Sequence, residues 1–191
     1  MKNFPLLVSA LALASCGSGG NRQQQSNAAE HPSTRPLPHF EFRKLQPAKT
    51  TLRDAEASGL VTDCLTSDLA GVKSTGCSFG TYQVGDVPTG RSSVDFENGL
   101  FDWFSIQFST DYFENMVDQA RQVYGEPCAT DSKTLQNAYG AQFSGDEVRW
   151  CFVEGQLVVR RHSKDNFRLG EFEFFSDKPE QPRKTYDANS L

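Results

Sequence analysis

Asn98-Gly99 is the feature that most constrains what this chain can fold into. Both residues tolerate the positive φ angles of a type I′ turn, whose twist matches that of two antiparallel strands leaving it. Before the turn, Val94 and Phe96 alternate with Asp95 and Glu97. After it, residues 100–108 form a strand that places Phe104, Ile106 and Phe108 on one face and Phe101, Trp103, Ser105 and Gln107 on the other. Such a hairpin demands an antiparallel sheet with at least one dry face. The chain has the apolar material for it, with 37% hydrophobic residues, 12% aromatics and 15 Phe among 191 residues. Disorder of the whole is thereby excluded.

Two helices are legible beside the strands. Thr51-Leu52-Arg53-Asp54 is a capping-box-like start with Asp in place of Glu, and Gly59 supplies the stop about two turns later. Ser109-Thr110-Asp111 is the strongest helix start in the chain. Phe113, Met116, Val117, Ala120, Val123 and Tyr124 follow it at helical spacing until Gly125 and Pro127. Strands are expected at 60–65 and 75–84, joined by a turn-rich stretch at 67–71. Four more are expected at 142–143, 148–153, 157–161 and 167–175, with Glu154-Gly155 as a turn. In the last of them Phe172 and Phe174 alternate with Glu171 and Glu173, giving a dry and a wet face. The order is short helix, about four strands, longer helix, about four strands. It defines an α+β domain, an antiparallel sheet with one or two helices packed on one face. The doubling, with two cysteines in each half, fits a helix-plus-strands repeat.

At the N-terminus, Lys2 precedes a short apolar run ending in Leu13-Ala14-Ser15-Cys16, followed by Gly17-Ser18-Gly19-Gly20. The run is too short for a permanent membrane span. These residues resemble the lipobox of bacterial lipoprotein signals, in which Leu and two small residues precede a cysteine. The resemblance implies removal of residues 1–15 and lipidation of the Cys16 thiol. It also implies attachment to a membrane through the acyl chains, with Gly17 favouring the outer membrane facing the periplasm. Several acyl chains anchor far more firmly than one. Residues 16–39, rich in Gly, Ser, Asn, Gln and Pro, then read as the lipidated cysteine and a flexible tether with a span of roughly 25–30 Å. Residues 40–175 are the domain and 176–191 a loose tail. The mature domain is similar in size and element order to small envelope lipoproteins of the fold named for the β-lactamase inhibitor protein.

With Cys16 assigned to lipid, Cys64, Cys77, Cys128 and Cys151 remain of the five cysteines. Outside the cytoplasm they are expected as disulfides. Three pairings exist for four cysteines. The sequence-local one, Cys64 with Cys77 and Cys128 with Cys151, is expected because each bond clips a local unit; the two crossed pairings stay open. Neither pair has the spacing of a redox CxxC motif.

No catalytic set, metal site or cofactor motif emerges. His31, His39 and His162 lie at no ligand spacing to a cysteine pair, and neither a Gly-x-Ser-x-Gly elbow nor a Ser-x-x-Lys pair occurs in the domain. Gly71, Gly76 and Gly80 read as turn glycines. Asp95 with Glu97, and Glu171 with Glu173, are carboxylate pairs that each share a strand face. Arg160, Arg161, His162, Lys164 and Arg168 form the basic stretch, a candidate patch for lipid phosphates or an acidic partner, with Arg160 and His162 facing one way and Arg161 the other. Phe101 and Trp103 are a candidate aromatic surface. The formal charge is −5, and −6 once Lys2 leaves, with 18 basic against 24 acidic residues; nucleic acid is therefore not an expected partner. The expectation is a lipid-anchored envelope protein, a binding or assembly module that binds another macromolecule without catalysis, with another envelope protein as a candidate partner. The alternatives are an envelope hydrolase, an inhibitor of a secreted enzyme, or a binder of lipid or lipopolysaccharide.

Overall fold

The computed structural model describes residues 36–69, 71–136, 140–163 and 166–177. The expected signal peptide, Cys16, most of the tether, Lys164 and the tail beyond 177 lie outside the described residues. Helix α1 spans Leu52–Ala57, its start fixed by Thr51, whose hydroxyl accepts from the Asp54 amide at 3.1 Å. Strands β1 (Val61–Leu69), β2 (Val72–Phe79), β3 (Gln83–Val84), β4 (Val87–Glu97) and β5 (Leu100–Ser109) follow. A 3₁₀ turn at Thr110–Tyr112, capped by Ser109, leads into α2 (Phe113–Tyr124). Strands β6 (Ala129–Gln136), β7 (Gln142–Phe152), β8 (Gly155–Arg160) and β9 (Leu169–Ser176) complete the chain.

All pairings are antiparallel, in the order β1-β2-β4-β5-β9-β8-β7-β6, with β3 pairing only β4. The sheet dominates the domain, with two short helices beside it. Each half of the chain runs helix then antiparallel strands, and the halves meet where β5 pairs β9. The disulfides are Cys64–Cys77, between β1 and β2, and Cys128–Cys151, from the residue before β6 to β7. The sequence-local pairing is the one formed.

One face of the sheet carries the core. Val94 and Phe96 of β4, Phe101, Phe104, Ile106 and Phe108 of β5, and Phe172 and Phe174 of β9 pack there with Leu157 and Val159 of β8 and Val148, Trp150 and Phe152 of β7. Phe113, Met116, Val117 and Ala120 of α2, Ala55 of α1, and Phe40 and Leu45 close over them. Phe40 stacks on Phe174 at 3.8 Å between ring centroids, and Phe42 lies 5.0 Å from Phe104. The segment that precedes the first helix is thus part of the core. Its contacts begin before residue 40: the Val153 amide donates to the Pro38 carbonyl at 3.0 Å, and His39 pairs with Glu154 at 2.5 Å. Val123 is 70% exposed, whereas Tyr124 beside it packs on Phe40 and Phe152, so the buried stripe of α2 runs through Phe113, Met116, Val117, Ala120 and Tyr124 and leaves Val123 outside it.

Asn98 and Gly99 make the expected turn, with φ of 51° and 79°. Other expectations change. Strand β1 extends through 67–69, with Gly71 in a turn before β2. Residues 142–143 and 148–153 belong to the single strand β7, and Ser176 ends β9 rather than opening a tail. Strand β6, with only Ala129 and Leu135 as apolar residues, has no apolar alternation to announce it. Lastly, β5 contains a bulge: Phe96 faces Phe101 while Asp95 faces Trp103, so Asp102 is an extra residue. The bulge turns Phe101 onto the core face, where it is 2% exposed.

Candidate functional site

The other sheet face carries the polar alternates of the same strands. In register across it lie Ser74 beside Glu97 and Gly76 beside Asp95; Asp95 beside Trp103; Ser105 beside Glu173; Glu171 beside Arg160; Arg160 beside Glu147; and Glu147 beside Asp131. Among the described residues no helix covers this face. Val158 is buried here, and it alone among the buried apolar residues lies outside the main core cluster.

A chain of charged hydrogen bonds ties five strands together on this face. The Trp103 indole N–H donates to Glu173 Oε1 at 2.6 Å, and the Ser105 hydroxyl donates to Glu171 at 2.8 Å. The Arg160 guanidinium pairs with Glu173, with Glu171 at 3.5 Å and with Glu147 at 2.9 Å. Arg149 continues the chain to Glu147 at 2.5 Å and Asp131 at 3.4 Å. Burial pushes the Glu147 carboxyl up, but the guanidinium groups of Arg149 and Arg160 outweigh it and hold the group below its ordinary range. Burial likewise opposes the charge on Arg160, and Glu173 and Glu147 more than restore it. Glu173 sits on the expected wet face yet is only 8% exposed, because Trp103 and Arg160 close over it.

Beside this network, Ser74, Asp95, Glu97, Asp102, Trp103 and Glu173 line a depression of about 290 Å³. The Ser74 hydroxyl holds Asp95 at 2.8 Å. The structure therefore brings together Asp95, Glu97 and Glu173 of the expected carboxylate pairs, with Glu171 farther along β9 at Arg160. Both Glu173 oxygens are committed, one to the indole and one to the guanidinium, so the site is built to hold charge in place. Carboxylates gathered beside an indole suit a cationic side chain.

The remaining expected residues separate. Phe101 belongs to the core, so the aromatic surface reduces to half-buried Trp103. Arg161 points to the helix side, bound to Asp146 at 2.7 Å and Glu114 at 2.5 Å, with its guanidinium 4.2 Å from the Phe113 ring centroid. His162 Nδ1 meets the Phe167 carbonyl at 2.6 Å, and its ring joins Phe143 and Phe167. Arg168 is exposed. Arg160 and Arg161 thus lie on opposite faces of the sheet, each paired with carboxylates. Sequence reasoning passed over Ser74, Asp102, Glu147 and Arg149. Glu147 and Arg149 had a signal, the alternation around Val148 and Trp150, whereas Asp102 depends on the bulge.

Among the described residues no helix is long and apolar enough to cross a membrane, and no group of three or more His, Cys, Asp or Glu is placed to hold a metal ion. No protein-family model matches this chain, and no curated protein and no solved structure matches it.

Proposed function

We propose that this chain is a lipid-anchored envelope protein whose domain binds another macromolecule without catalysis. Cys16 is the anchor, residues 17–37 are the spacer, and the uncovered sheet face is the contact surface. The observation that carries the reading is the one-sided sheet, in which the depression of Asp95, Glu97, Asp102 and Glu173 beside Trp103 lies opposite the helices. Its charge and aromatic wall select a basic segment of a protein partner over nucleic acid or anionic lipid. The two halves, each a helix followed by strands with its own disulfide, further support a helix-plus-strands repeat of the β-lactamase inhibitor protein kind.

Cross-linking in intact cells tests this, with captured proteins identified by mass spectrometry. The native protein is expected to capture a reproducible partner other than itself, the Cys16→Ala form to lose it, and Asp95→Lys to reduce capture at least about tenfold. Capture that ignores both substitutions would refute the assignment of anchor and face.

A further inference from the structure

The sheet ends in two edges, and they are built differently. Along β1 the register shifts between Thr62 and Leu65, Asp63 adopts a φ of 52°, and the Cys64–Cys77 disulfide clips the strand at the same place. A bulged, kinked edge resists addition of another strand. Strand β6 has no register shift and no residue of positive φ, and its disulfide lies just outside it, at Cys128. It pairs β7 without interruption from Ala129↔Arg149 to Gln136↔Gln142, contains no Pro or Gly, and is exposed along almost its whole length. It is the last strand of the sheet, so the main-chain groups on its outer side have no strand partner among the described residues.

The sequence of β6, Ala-Thr-Asp-Ser-Lys-Thr-Leu-Gln, is complementary to itself when run antiparallel about Ser132. In that register Ser132 faces Ser132 of a second copy. Asp131 faces Lys133, Thr130 faces Thr134 and Ala129 faces Leu135, each twice by symmetry. Opposite charges directly across a strand pair stabilise it, and like charges destabilise it. The neighbouring registers that keep each side chain on its own face differ by one residue in the position of the two-fold axis. One sets Asp131 against Asp131 and the other Lys133 against Lys133. Lys133 has no carboxylate partner within its own chain among the described residues, whereas Asp131 has Arg149 at 3.4 Å.

We infer that β6 is a homodimerisation edge: two copies of this chain join β6 to β6, antiparallel and centred on Ser132, into one continuous sheet. The two-fold axis stands perpendicular to the sheet, so the interface is isologous and closed. Both polar faces, each with its acidic depression, then lie on the same side. The inference is independent of what those faces bind.

Site-directed disulfides in the full-length protein, formed by mild oxidation in its native membrane, test both the interface and its register. Ser132→Cys is expected to give a covalent dimer with twice the chain mass. Thr130→Cys and Thr134→Cys are each expected to give no covalent dimer alone, since each residue is about 13 Å from its own symmetry mate, and to cross-link when the two variants are mixed. Charge exchange gives a second, independent arm. Asp131→Lys and Lys133→Asp are each expected to weaken self-association about tenfold or more, and equimolar mixing of the two to restore it as a heterodimer. The inference is overturned if Ser132→Cys cross-links no better than Thr130→Cys alone. It is also overturned if Ser132→Cys captures a different protein instead, or if the charge variants associate as the native chain does.

Discussion

Arg160 illustrates how much one side chain decides on the polar face. Its side chain, 18% exposed, lies among Glu147, Glu171 and Glu173, and without it Glu171 and Glu173 lose their guanidinium partner in a partly dry layer while Glu147 keeps only Arg149. Removing one partner of a buried ion pair leaves uncompensated charge and typically costs about 3–5 kcal/mol. Arg160→Leu is expected to destabilise by about that amount in denaturant unfolding. Adding Glu173→Gln to it should recover part of the loss, since it removes one of the stranded charges. Asp146 has a different signature. Hydrogen bonds from Ser132 and Ser144, with the Arg161 guanidinium behind them, hold its carboxyl down to about 2. A carboxyl whose folded-state pKa lies below its unfolded value stabilises the fold at higher pH and loses that contribution as pH falls. The affected window runs from about 4, the ordinary Asp value, down to about 2. Over it the native protein should lose more stability than Asp146→Asn, as read by unfolding midpoints at successive pH values.

At the scale of the element, the bulge in β5 and the disulfides matter most. An inserted Asp102 shifts the alternation by one residue, which is why Phe101 stacks with Phe104 and Phe174 in the core instead of joining Trp103 outside. Each disulfide binds the first strand or strand entrance of a half to the next strand, where few apolar side chains hold the edge. In the chain-entropy account, closing a loop of 13 residues stabilises by about 3 kcal/mol, and one of 23 by roughly 0.5 kcal/mol more. Cys64→Ala with Cys77→Ala, and Cys128→Ala with Cys151→Ala, are expected to lower unfolding free energies by these amounts, the second pair slightly more. Gly155 shows a tight fit at another turn: a Cβ there would lie 2.2 Å from the Phe175 carbonyl oxygen, so β8 begins at a residue that must have no side chain.

At the scale of the molecule, the two halves meet along β5 and β9, and the same seam serves both faces. On one side it stacks the aromatic core; on the other it carries the Trp103–Glu173–Arg160 network. The polar face is therefore ordered by the same pairing that buries the apolar one. An ordered, uncovered face is what a binding surface requires, because little side-chain freedom remains to be lost on contact. Joining two copies through β6 would extend that surface without burying either depression, which is why partner capture and self-association are separable measurements.

The sequence by itself determined what depends on neighbours within a few residues. The Asn98-Gly99 turn, the Thr51 and Ser109 caps, the apolar stripe of α2 and the pairing of nearby cysteines were all legible, because turn torsions, capping hydrogen bonds and helical periodicity are local. Only the tertiary structure decided the rest. Strand β6 has little apolar alternation and is held by its pairing to β7; Phe101 changed faces through a register shift. The partners of Trp103 and Ser105 stand 70 and 66 residues away along the chain. Register is set by how whole strands lie against each other, and a slip of one residue reverses every side chain on a strand.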